Sequence, residues 1–279
     1  MFQRMAYVTG MPRSGTSWIA QMLAAHPDVR LKLSPLFSYE FKDRLDARAR
    51  TAEWRRLFQA VYDTPSDYMD QGFLRRTGAV PHFPERRPQP AVLAIKATRH
   101  HHLTRHLLEA CPEISWFAVV RHPCATIHSW LSNPLEFPAG AAPAAEWRSG
   151  ACRKQGSGEF WGFDDWMTVT TMFADLAERH PDRFMLVEYE RVVTAAEPAM
   201  REILARIGLD MHPQVVRFIR DSQAAHSADH RSVFKEPAVA ERWRTELDPD
   251  IRRHIEADLA GSPLARLFDA TARGRGPAA

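Results

Sequence analysis

The chain has little cysteine: Cys111, Cys124 and Cys152 are an odd, scattered set with no CxxC pair among 279 residues. That argues against a disulfide framework and against a cysteine zinc site, and it fits free thiols in a reducing compartment. Long hydrophobic runs are missing as well. The longest apolar stretch, ISWFAVV at 114–120, is far too short to cross a bilayer, and MFQRMAYVTG at the start has no secretory pattern. A soluble, cytoplasmic protein with no membrane span is the expectation. An excess of one charge is absent too. With 37 Lys+Arg against 34 Asp+Glu the net charge is +3, so nothing in bulk points to nucleic acid or a membrane surface. Any anion site must come from local clustering.

What is present is an ordinary globular composition, 45% hydrophobic and 25% charged, in a chain long enough for one sizeable core. MAYVT (5–9) is β-prone and breaks at Gly10. Ile19, Met22 and Leu23 then recur at helical spacing until Pro27. Three more apolar runs, AVLAIK (91–96), ISWFAVV (114–120) and RFMLVEY (183–189), follow helix-compatible stretches, and their continuous apolar character suits strands covered on both faces. The expected fold is α/β: a P-loop-NTPase-like parallel sheet of about five strands with helices on both faces, in a single domain over 1–268. Two insertions interrupt it, near 34–90 and 132–165, the second a candidate lid or substrate loop. Residues 269–279, low in complexity, are expected to be a disordered tail.

Gly10 and Gly15 bracket four residues in GMPRSGTS, the spacing that turns successive N–H groups inward at the head of a helix and suits an anion. A P-loop NTPase would follow the second glycine with lysine and supply a strand-end aspartate for magnesium. Here Thr16 takes the first position and Arg121 the second. Arg13 is the loop's only cation, a fork able to clamp a phosphate or sulfuryl group.

These residues carry a resemblance. PRSGTSW (12–18) is similar to the 5′-phosphosulfate loop of sulfotransferases that use 3′-phosphoadenosine 5′-phosphosulfate (PAPS), which keep Lys or Arg where Arg13 stands. WFAVVRHPCATIHSW resembles that family's second signature, with Arg121 and, eight residues on, Ser129 implied to grip the cofactor's 3′-phosphate. Pro12, Arg13, Ser14, Gly15, Thr16, Ser17 and Trp18 are the implied 5′ contacts. Lys96, ending a strand, is implied near the sulfuryl group, and Tyr189 near the adenine. Arg231, Ser232 and Lys235 are implied in a late loop over the 3′-phosphate. The resemblance spans roughly 5–260, with 34–90 and 132–165 unmatched. It implies sulfuryl transfer from PAPS to a hydroxyl of a small-molecule, lipid or glycan acceptor, leaving the bisphosphate PAP. Arg13 and Lys96 would receive the developing charge and no metal would be needed. A homodimer is compatible with this reading, and nothing in the sequence identifies the acceptor.

The general base departs from the family. Some relatives use a glutamate soon after the first helix, and others a histidine two residues past the strand-end lysine, where Thr98 stands here. Glu40 is the first choice, on the expectation that Phe37, Tyr39 and Phe41 raise its pKa. The alternative is one of His100, His101 and His102, with His101 taken as representative. Three consecutive histidines point in different directions and make no metal site. Two other readings stay open: an atypical P-loop kinase or phosphotransferase, and a non-catalytic adenine-nucleotide-binding protein.

Overall fold

A computed structural model describes residues 1–227 and 229–268; the expected tail at 269–279 lies outside the described residues. β1 (Arg4–Gly10), β2 (Val29–Leu33), β3 (Val92–Ala97), β4 (Ile114–Val120) and β5 (Phe184–Glu188) form one all-parallel sheet in the order β2-β3-β1-β4-β5. The α/β architecture read from the sequence is the one observed. Helices α1 (Thr16–Ala24), α2 (Thr51–Asp63), α3 (Gly72–Arg76), α4 (Thr104–Ala110), α5 (Pro123–Leu131), α6 (Pro143–Glu146) and α7 (Gly162–Arg179) connect the strands. After β5 come α8 (Tyr189–Thr194), α9 (Ala196–Arg206) and α10 (Pro213–Ala224).

Side chains on a strand alternate between faces, so continuous apolar strands bury both. Leu93 and Ile95 of β3 and Ile114, Trp116 and Ala118 of β4 pack on one side with α2, α4 and α7. Their neighbours Val92, Ala94, Phe117 and Val119 pack on the other with α1, α9 and α10. The strand not named from the sequence is β2. Its Arg30 and Lys32 alternate with apolar residues and break the continuous pattern, which an edge strand tolerates. Lys32 is buried only because its ammonium reaches the Thr64 carbonyl at 2.7 Å and Asp70 at 2.8 Å.

The insertion at 34–90 contributes to the core. Trp54, Phe58 and Val61 share a face of α2 and are buried, with the Trp54 indole donating to His106 at 3.0 Å. Parallel pairing then gathers the strand ends: Thr9 pairs with Ala97 and Ala118, and Val120 with Glu188. The chain fills one side of β1 with β3 and β2, then crosses to β4 on the other. That reversal leaves a crevice at the carboxyl end of β1, where open α/β sheets bind ligands.

Because Trp54 is core and remote from that crevice, Trp54→Ala should cost about 3–5 kcal/mol of unfolding free energy. Chemical denaturation followed by tryptophan fluorescence and circular dichroism measures it; a loss under 1 kcal/mol would mean that α2 is an appendage.

Candidate active site

The loop leaving β1 makes two conformational demands. Gly15 has φ +90°, and a Cβ there would lie 2.3 Å from the Tyr189 ring, so glycine meets both the backbone and the packing requirement. Arg13 adopts a left-handed φ of 70° without being glycine, a strained conformation of the kind that gathers at functional sites. α1 follows directly on Gly15, with no side-chain cap and no acidic residue in its first turn, so its leading N–H groups and its positive dipole end are left for an anion.

The two sequence motifs meet here. The Arg13 Nε donates to the Ser129 hydroxyl at 3.2 Å, and the Arg121 Nη1 donates to the Arg13 carbonyl at 3.1 Å. Arg121 leaves β4 almost buried, its guanidinium 4.8 Å above the Tyr189 ring, and its Nε has no hydrogen-bond partner. The Ser14 hydroxyl is likewise buried and unpartnered. Trp18 stands edge-on to Tyr189 at 6.3 Å, fixed by its indole N–H to Ser222 at 2.8 Å. Over the opening, the Lys235 ammonium is held by the carbonyls of Ser227 and Asp229.

One cavity of about 580 Å³ joins these groups. Of the residues implied to hold a cofactor, Pro12, Arg13, Gly15, Thr16, Ser17, Trp18, Arg121, Ser129, Tyr189, Arg231, Ser232 and Lys235 all line it, as does Lys96. Ser14 lies behind the loop surface. The gathered cations pay for their seclusion: desolvation pulls Lys96 down to about 8, with Glu136 opposing and Arg13 adding to the fall. Desolvation lowers Arg13 as well.

The expected bases are elsewhere. Glu40 is exposed, and its carboxyl is held below the ordinary value, first by the Ser66 hydroxyl. The expected upward shift fails because the aromatics do not enclose it: Tyr39 is 97% exposed and Phe37 is covered by the Arg99 guanidinium, 3.7 Å above its ring. His101 is buried between Phe160 and Phe173, at 4.9 and 5.6 Å, and desolvation drives its pKa down to about 3. None of Glu40, His100, His101 and His102 lines the cavity.

Sequence reasoning missed part of the cavity wall: Arg99, Glu136, Arg153 and Trp161 also line it, as does Thr98. Arg99 and Arg153 share the Glu159 carboxylate, and Arg153 lies 5.3 Å above the Trp161 ring. Glu136, Arg153 and Trp161 come from the 132–165 insertion, so that stretch does contact the cavity. Their only sequence signal was a loop too long for a passive connection. Among the described residues no cluster of His, Cys, Asp and Glu is arranged for a metal, and no helix is long and apolar enough to cross a membrane.

A family model described as "Sulfotransferase family" matches residues 6–213. No curated protein matches the sequence. Among solved structures, mouse sulfotransferase SULT7A1 complexed with PAP aligns over 98% of this chain and 90% of its own, at 16% identity and TM-score 0.58. A sulfotransferase from Alicyclobacillus acidocaldarius aligns over 99% and 100%, at 14% identity and TM-score 0.52. Retinol dehydratase, in complex with androsterone and inactive cofactor PAP, aligns over 94% and 81%, at 12% identity and TM-score 0.53. At these identities the likeness is one of fold.

Lys96 gives a signed prediction. Folded, it releases its proton at about 8 rather than 10.5, so the charged form costs stability below pH 8 and the cost fades as pH rises toward 10.5. Lys96→Met should therefore raise the Tm of the ligand-free protein at pH 7, by roughly 2 °C per kcal/mol relieved, with the gap closing by pH 10. Differential scanning fluorimetry across pH reads this; a lower Tm at pH 7 would refute it.

Proposed function

The chain belongs to the sulfotransferase family, and from that premise we propose that it transfers the sulfuryl group of PAPS to a hydroxyl of a small-molecule, lipid or glycan acceptor. The observation that carries this is the direct contact between motifs 116 positions apart, Arg13 to Ser129, in a cavity that also holds Lys96 and Arg121. The unpartnered Arg121 Nε and the uncapped α1 are the features that a ligand with two separated anionic groups would complete. SULT7A1 and retinol dehydratase, of the same fold, were crystallised with PAP.

PAPS supplies an activated sulfuryl group on a phosphate leaving group. On this proposal the N–H groups opening α1, with Arg13 and Lys96, hold the 5′ end and stabilise the negative charge that builds on the departing phosphate oxygen. Arg121 and Ser129 hold the 3′-phosphate, with Arg231, Ser232 and Lys235 above it. Trp18 and Tyr189 offer aromatic surface for the adenine. The acceptor enters between Thr98, Arg99, Arg153 and Trp161. Thr16 stands where a kinase keeps its P-loop lysine and Arg121 where it keeps a magnesium-binding aspartate, which disfavours the phosphotransferase reading.

PAP should raise the Tm more than ADP or Mg-ATP at equal concentration, by the equivalent of about 2.7 kcal/mol at a hundredfold excess over Kd. Arg121→Ala and Ser129→Ala should each weaken PAP roughly 10- to 100-fold, the worth of one or two hydrogen bonds to a charged group. Calorimetric titration checks both. A preference for Mg-ATP would overturn the assignment, and an acceptor screen with labelled PAPS would identify the substrate.

A further inference from the structure

We propose that Glu136 is the general base of this site, taking the proton of the acceptor hydroxyl. The inference rests on the sulfuryl-transfer reading above and adds a residue that neither sequence motif contains.

Three carboxylates line the cavity among the described residues. Glu246 is engaged by His128 at 3.2 Å, and Glu236 lies between His226 at 3.6 Å and Arg242 at 3.8 Å. Glu136 stands instead beside Arg13, and its charge is felt by Lys96 as well. Its Oε2 is 3.9 Å from the Arg13 Nε, and its charge supports the protonated forms of both Arg13 and Lys96. That oxygen is closed off from solvent and makes no hydrogen bond, although the side chain as a whole is 31% exposed. An occluded carboxylate oxygen without a donor, beside the cations assigned to the leaving group, has the chemistry required of a proton acceptor.

Glu136 is also held rigidly. α5, which carries Ser129, ends at Leu131, and the Asn133 carbonyl then accepts from the N–H groups of Glu136 at 3.0 Å and Phe137 at 2.8 Å. The Trp130 indole donates to the Glu136 carbonyl at 3.4 Å. Phe137 packs on Trp130 at 5.2 Å, and Trp161 packs there from beyond the loop at 5.6 Å. The carboxylate therefore sits one turn past the proposed 3′-phosphate helix, on a segment fixed by three aromatic rings.

In the step itself the acceptor oxygen bonds to sulfur while its proton passes to Glu136. The bond from sulfur to the bridging oxygen breaks, its electron pair leaving on the 5′-phosphate beside Arg13 and Lys96. Glu136 then returns the proton to solvent.

Glu136→Gln keeps the shape and removes the base. With PAPS and a simple aliphatic alcohol as probe, it should lower kcat by 10²- to 10⁴-fold. With 4-nitrophenol, which arrives largely ionised, the loss should shrink to under tenfold. PAP affinity, measured calorimetrically, should stay unchanged or tighten, since a negative charge has left the neighbourhood of Arg13 and Lys96. Glu136→Asp should recover part of the alcohol rate, which separates loss of the base from loss of the fold. A kcat retained within threefold, with tighter PAP, would make Glu136 a mere counter-ion and overturn the proposal. So would an equal loss with both probes, or a loss of PAP binding. A wild-type protein that neither binds PAP nor turns over either probe would overturn the transfer reading itself, a failure visible without any variant.

Discussion

Everything at the crevice depends on keeping Arg13, Lys96 and Arg121 charged and close together in a poorly hydrated space. Like charges out of water oppose one another, and a guanidinium nitrogen left without an acceptor adds desolvation cost. The sheet tolerates this because the cations sit at strand and helix ends, where backbone carbonyls, the Tyr189 face and the Ser129 hydroxyl supply partial negative charge. Glu136 supplies a full counter-charge beside Arg13. The fold spends stability here, and a polyanion is the natural means of recovering it.

The motifs were legible because their chemistry is local. A glycine pair at the head of a helix, an arginine at a strand end and a serine eight residues later have their geometry set by neighbouring backbone, so sequence spacing alone carried them to one cavity. β2 was not legible, since Lys32 in an edge strand is made tolerable only by Thr64 and Asp70 from distant turns. The proposed base was not legible for the same reason. Glu40 has aromatic neighbours in sequence but an exposed side chain in space, whereas Glu136 has no sequence signature and acquires its place through a turn closed by Asn133 and Trp130. Aromatic content in the 34–90 region read equally well as a substrate surface or as core, and for Trp54 and Phe58 tertiary packing decided for core.

Structures at 12–16% identity share this architecture over nearly the whole chain. At that divergence the likeness is one of fold. Of the two stretches unmatched by motif, the one at 132–165 contributes Ser132, Glu136, Arg153 and Trp161 to the cavity wall.

The trio Trp130, Phe137 and Trp161 is a small apolar cluster separate from the two layers that sandwich the sheet. It clamps the helix bearing Ser129 to the wall bearing Trp161, so the two parts of the cavity that they line are mechanically a single piece. Remodelling that wall would shift the helix bearing Ser129 with it.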